Sequence, residues 1–127
     1  MLQADDVTVR FGEKVALAGV TLEVARGEVV AVLGASGSGK STLLRVITGL
    51  QRPDAVRVLL DGEDLSPVPA HRRGIGLVFQ DHVLFHHMDV GGNVAFGLRM
   101  RGDARTEIER QVHEVLELVG LRGFERR

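Results

Sequence analysis

The stretch Leu33-Gly34-Ala35-Ser36-Gly37-Ser38-Gly39-Lys40-Ser41-Thr42 constrains this chain more than any other, because it must turn the backbone between two unlike elements. Its pattern is G-x-x-x-x-G-K-[ST]. Before it, Val29-Val30-Ala31-Val32-Leu33 is an unbroken apolar run, which predicts a strand buried on both faces of a parallel sheet. After it, Leu43, Ile47 and Leu50 recur at the spacing of one helical face. Chance produces the four fixed positions about once in 30,000 starts at ordinary residue usage. A glycine- and serine-rich turn with no ligand is the competing reading, and it does not account for both flanks.

The residue types then suggest a chemistry. Gly34, Gly37 and Gly39 let successive backbone N–H groups turn inward with no Cβ in the way, and such a nest holds an anion. Ala35, Ser36 and Ser38 complete the loop. Lys40, at the head of the following helix, can reach the β- and γ-oxygens of a nucleotide, the Ser41 hydroxyl suits Mg²⁺, and Thr42 offers a second hydroxyl.

Composition limits the alternatives. At 127 residues the chain is one domain at most, and small for a complete nucleotide-hydrolysing module. A net charge of -1 gives no broad basic surface for nucleic acid. The absence of cysteine excludes disulfides and thiolate metal sites and fits a reducing compartment. No apolar run approaches the roughly 20 residues that span a bilayer. The acidic start Met1-Leu2-Gln3-Ala4-Asp5-Asp6 lacks the basic opening of a signal peptide, so any work at a membrane is expected to go through a partner.

In chain order, the alternation in Val7-Thr8-Val9-Arg10-Phe11 and in Val20-Thr21-Leu22-Glu23-Val24 predicts antiparallel strands with one wet face. Arg57-Val58-Leu59-Leu60 followed by Asp61-Gly62 predicts a further strand and turn. Ile75-Gly76-Leu77-Val78-Phe79 is a second apolar run, expected to lie beside residues 29–33 in a parallel sheet. Past residue 89 the pattern becomes helical. Val90, Val94 and Leu98 share a face up to Gly102, and a second helix is expected to open at Thr106 with Glu109 completing a capping box. Its stripe is Ile108, Val112, Val115, Leu116 and Val119, its stop is Gly120, and Glu107, Arg110, Glu114 and Glu117 form a solvated face.

With these residues in place, the chain resembles the ATP-binding subunit of ATP-binding-cassette (ABC) transporters over essentially its whole length. Phe11 in Val9-Arg10-Phe11-Gly12, the loop Gly34 to Thr42, and Gln80 in Leu77-Val78-Phe79-Gln80-Asp81 match in order. His71-Arg72-Arg73-Gly74-Ile75-Gly76 and Asn93-Val94-Ala95-Phe96-Gly97-Leu98 resemble the importer branch that serves ferric iron, polyamines or sugars. A small P-loop kinase shares Gly-Lys-Ser-Thr but gives Gln80 and the β-rich start no role. The resemblance implies an α/β P-loop NTPase core with an N-terminal antiparallel β subdomain and the start of a helical subdomain. The expected division is 1–85 for the β-rich and P-loop core and 86–127 for the helical part.

The resemblance also implies roles. Phe11 stacks on adenine, the alternative being a core residue at a strand end. Gln80 approaches Mg²⁺ or the attacking water and relays nucleotide state, the alternative being a surface amide. Lys40 and Gln80 are thus the expected catalytic pair, Ser41 and Gln80 the Mg²⁺ ligands. Partners implied are a second ATP-binding subunit and transmembrane permease subunits, at the inner face of the cell membrane. His82, His86 and His87, near Asp81 and Asp89, are better read as an exposed loop than as a metal site.

Departures matter too. Val56 stands at a usual turn glycine and His86 at a usual proline, predicting an altered hairpin and a looser loop. Asp89 and Gly92 keep half of a capping box, so the first turn after residue 89 is expected to fray and Gly92→Glu to stabilise it. The chain stops short of the family's signature and of its acidic hydrolytic residues. It therefore reads as a truncated N-terminal half, an ATPase when complete and paired. The alternative is a nucleotide-binding module without hydrolysis.

Overall fold

The computed structural model describes residues 1–81 and 83–127, which form two compact units, Met1–Val78 and Phe79–Arg127. In the first unit, four antiparallel strands lie in the order β2-β1-β3-β4: β1 Leu2–Phe11, β2 Lys14–Val24, β3 Ala55–Leu60 and β4 Glu63–Asp64. Alternation drives the arrangement. Ala4, Val7 and Val9 of β1, Leu17 of β2 and Val58 of β3 are buried together, Val7 and Val9 by alternation and Ala4 through the register shift between Ala4 and Val7. Helix α1 (Lys40–Ile47) closes that cluster with Leu43, Val46 and Ile47.

The antiparallel strands are longer than the alternating segments suggested, because ladder bonds continue past the buried positions. Val56 lies within β3 and packs at the edge of the core, so no turn occurs there. Asp54 instead joins the sheet at the start of the strand, its N–H donating to Thr8 O at 2.9 Å and its carboxylate accepting from Arg10 N at 2.7 Å.

Two expected strands are absent. Residues 29–33 and 75–79 have no ladder among the described residues, and Val29, Leu33 and Val78 are almost fully exposed. An apolar run becomes a buried strand only when neighbours supply both its hydrogen bonds and its cover. Leu50 also departs from expectation. It lies beyond the end of α1 and is exposed, while Val46 takes its place on the buried face.

In the second unit, α2 (Val90–Arg101) and α3 (Arg105–Leu118) pack through Ala95, Val112 and Leu116, flanked by Val90, Val94, Leu98 and Ile108. Val115 and Val119, expected in the stripe, are exposed. Gly120 ends α3 as expected, with Gly120 N donating to Glu117 O and Leu121 N to Leu116 O. On the solvated face Arg110 pairs with both Glu107 and Glu114. Hydrogen bonds from Arg110 and then Gln111 hold the Glu107 carboxyl down at about 2.

The two helix starts differ from expectation. Ala104, not a capping side chain, precedes α3, and Glu109 pairs with Arg105 at 2.9 Å instead of closing a box with Thr106. The first turn of α2 is secured where fraying was expected. Asp89 accepts from Gly92 N at 2.6 Å, Val90 N donates to Arg127 O at 2.8 Å, and Gly91 N donates to Glu125 O at 2.8 Å. Gly92 is buried, and a Cβ there would lie 2.9 Å from Asp89 Oδ1 and 3.2 Å from Met88 Cβ.

The expected gain from Gly92→Glu therefore reverses. Displacing the Asp89 cap and crowding Met88 should lower stability by about 1–3 kcal/mol, read as an earlier unfolding midpoint. A midpoint that stays put or rises would show that the first turn of α2 has room for a side chain.

Candidate functional site

The sequence-predicted phosphate loop lies entirely in the first unit, exposed from Gly34 to Ser38 and leading directly into α1. Lys40 folds back over it. Its Nζ donates to Gly34 O at 2.8 Å, to Ala35 O at 2.7 Å and to Ser38 Oγ at 3.3 Å. The ammonium is thus positioned by the loop's own carbonyls. Ser38 N closes the turn onto Ala35 O at 3.2 Å.

Gly39 shows why the loop tolerates no side chain at its exit. Its φ is +93°, and a Cβ would fall 2.6 Å from Ala16 O and 2.7 Å from Leu17 Cδ2. The loop therefore seats directly on β2. Gly39 also occupies the N-cap of α1, where no side chain caps the helix and no acidic residue stands in the first turn. The first N–H groups of a helix need partners from outside it. An anionic phosphate satisfies that need and favours the positive end of the helix dipole. Ser41 is exposed and Thr42 half-buried in this first turn, so both hydroxyls belong to the same helix start.

Phe11 is the last residue of β1, in the same unit as the loop. It is 50% exposed and outside the apolar cluster. Gln80 belongs to the second unit and is exposed at a bend. The loop residues and Phe11 are accordingly gathered in one unit, and Gln80 in the other. His86 and His87 are exposed on a turn, while His82 lies outside the described residues.

Two polar residues carry more structure than the sequence reading assigned them. Asn93, in the first turn of α2, accepts from Phe85 N at 2.8 Å and donates to Phe85 O, Met88 O and Asp89 O at 3.2, 3.2 and 3.0 Å. Met88 N closes the turn on Phe85 O at 2.9 Å, and the Phe85 ring lies 4.4 Å from that of Phe96. The turn that His86 was expected to loosen is instead bound to α2. An asparagine in a first helical turn was the available signal, since its amide competes for nearby backbone groups.

Arg73 is the second. It is 9% exposed, and burial pushes its guanidinium pKa down, with the Asp64 charge opposing. Its bonds go to carbonyls: Nε to Val68 O at 2.8 Å, Nη1 to Val46 O at 3.0 Å and Ile47 O at 2.8 Å, Nη2 to Ser66 O at 3.4 Å. The sequence offered only the pair Arg72-Arg73 before an apolar run, and nothing in it says which arginine turns inward. Arg72 is exposed.

Among the described residues no helix is long and apolar enough to cross a membrane. Residues 6–127 match the ABC transporter family. The chain is 59% identical over its full length to the Fe(3+) ions import ATP-binding protein FbpC of Streptomyces coelicolor, of which it covers 36%. It is 49% identical over 122 residues, 96% of the chain, to the sulfate/thiosulfate import ATP-binding protein CysA of Mycobacterium tuberculosis, of which it covers 35%. The chain thus spans little more than a third of the length of these relatives. In solved structures, it superposes with a TM-score of 0.84 and 28% identity on a dimeric ATP-binding cassette in a post-hydrolysis state bound to ADP and Pi, covering 100% of this chain and 61% of that one. An ATP-binding cassette of another ABC transporter matches with the same TM-score at 29% identity, covering 99% of this chain and 56% of that one. The glycine loop, the uncapped helix behind it and the fold around them agree with these matches: the chain belongs to the ABC transporter family and carries the α/β P-loop fold of its ATP-binding cassette.

Proposed function

We propose that this chain is the nucleotide-binding portion of an ABC importer's ATP-binding subunit. In the intact, paired subunit it binds Mg-ATP, whose hydrolysis drives solute import through permease subunits at the inner face of the membrane. One observation carries the reading. The start of α1 has no side-chain cap, and the loop before it holds Lys40 by three contacts of 2.7–3.3 Å. An uncapped helix start with a lysine ammonium held at its mouth suits an anionic phosphate.

In this reading Gly34, Ala35, Ser36, Gly37, Ser38 and Gly39 enclose the phosphates through backbone N–H groups, and Lys40 exchanges loop carbonyls for phosphate oxygens. Ser41 would supply a hydroxyl to Mg²⁺ and Thr42 a second one, and the family resemblance assigns Gln80 as a further ligand. Bound Mg²⁺ supplies charge neutralisation across the phosphates. Phe11 offers its exposed ring to adenine. Which solute is carried belongs to the permease subunits. The two relatives described are named for ferric iron and for sulfate/thiosulfate, and this chain is similar to both.

A second reading is that the chain is a nucleotide-binding module without hydrolysis. It spans 36% of the Streptomyces relative, and it contains no recognisable signature or hydrolytic acidic residue. In either reading the β-rich and P-loop core is 1–85 and the helical part begins at 86.

Calorimetric titration separates these statements. The chain should bind Mg-ATP, and Lys40→Ala should weaken binding by about tenfold or more, the order expected for losing charge-assisted hydrogen bonds. Phosphate release by the same preparation should not exceed that of buffer. Equal affinities for the two proteins would remove Lys40 from the site, and turnover abolished by Lys40→Ala would overturn the second reading.

The adenine contact has its own test. Phe11→Ala should lower affinity for ATP more than for inorganic triphosphate, by roughly 0.5–1.5 kcal/mol or several-fold. Equal losses for the two ligands would leave Phe11 without a role at the base.

A further inference from the structure

Arg73 makes a fixed joint at the opposite end of α1 from the phosphate loop. Its guanidinium joins the last carbonyls of the helix, Val46 O and Ile47 O, to Ser66 O and Val68 O of the segment that follows β4. No carboxylate forms an ion pair with it among the described residues, so its partners are backbone dipoles. The surrounding chain is shaped to admit it. Gly49 has φ +80°, and a Cβ there would lie 2.6 Å from Arg73 Nε and 2.8 Å from Cζ.

We propose that Arg73 is a positioning residue for the phosphate loop, setting the axial position of α1 and so the aim of its N-terminal N–H groups and of Lys40. The inference rests on the nucleotide-binding reading above. Its physical basis is the way α1 is held. The helix has 8 residues, about 12 Å of length, and its buried residues Leu43, Val46 and Ile47 lie on one side. Apolar contact is non-directional and resists sliding weakly. Hydrogen bonds are directional: Nη1 donates to both terminal carbonyls, while Nε and Nη2 of the same planar group tie it to Val68 O and Ser66 O, an anchorage a single ammonium cannot reproduce. A cation at the carbonyl end also offsets the negative pole of the helix dipole while phosphate occupies the positive pole.

The test compares Arg73→Met, Arg73→Lys and Gly49→Ala with the parent protein, at a temperature well below each melting midpoint. Titrations use Mg-ATP and inorganic triphosphate, with Lys40→Ala as reference. If Arg73 positions the loop, Arg73→Met weakens both ligands by the same factor, about threefold or more. Arg73→Lys, which keeps the charge and loses the fork, should recover only part of that loss. Gly49→Ala, which pushes the guanidinium aside, should mimic Arg73→Met. A purely structural arginine would lower the midpoint and leave both affinities at the parental value, and that result overturns the proposal. Where Arg73→Met fails to fold, Arg73→Lys and Gly49→Ala carry the same comparison. Failure of the parent to bind, or equal binding by Lys40→Ala, would instead overturn the nucleotide reading and this inference with it. Parental affinity in the Arg73 variants alongside a weakened Lys40→Ala removes only the inference.

Discussion

The burial of Leu43, Val46 and Ile47 against the sheet face formed by Ala4, Val7, Val9, Leu17 and Val58 is the contact on which the first unit depends. An isolated helix of this length does not persist in water, because the first turn costs more conformational entropy than its few hydrogen bonds return. Without the sheet there would be no α1. Without α1 the glycine loop would have no fixed exit, and Lys40 no fixed place from which to fold over Gly34 O and Ala35 O.

The same logic explains why the helix start carries no side-chain cap. Capping by a serine or aspartate would stabilise α1 by about 1 kcal/mol, but it would also occupy the N–H groups that an anion needs. In its place stands Gly39, too close to Ala16 O for any side chain. Stability is supplied from elsewhere: by the apolar contacts along the helix and by Arg73 at its far end. The helix is thus held at its side and its tail, and its head is left open.

The second unit solves a different problem. Its helices share a small core, Ala95, Val112 and Leu116, and the exposed ion pairs on α3 add little in water. Order at its edges comes from amides and backbone groups. Asn93 binds the 85–89 turn to α2, and the N–H groups of Val90 and Gly91 find carbonyls at Arg127 and Glu125. Each of these partners is distant in sequence or indistinct in type.

That difference decides what was legible. The glycine loop, the alternation that makes β1, β2 and β3, and the apolar spacing behind α2 are local patterns, and a backbone of given residue types answers to them directly. Family membership was legible for the same reason, since Phe11, Gly34 to Thr42 and Gln80 are read one position at a time. The exposure of residues 29–33, the slack position of Leu50, the Arg105 pairing that takes Glu109 from the expected box, and the crowding at Gly92 were not. Each depends on which atoms arrive from another part of the chain. An apolar run states that it can be buried, but only a neighbouring strand buries it. An arginine beside another states a charge, and only the carbonyl end of α1 chose Arg73 over Arg72. Sequence thus determined the glycine loop, the alternating strands and the helices, while tertiary structure decided which groups were covered, capped or joined, because those outcomes belong to pairs of distant residues.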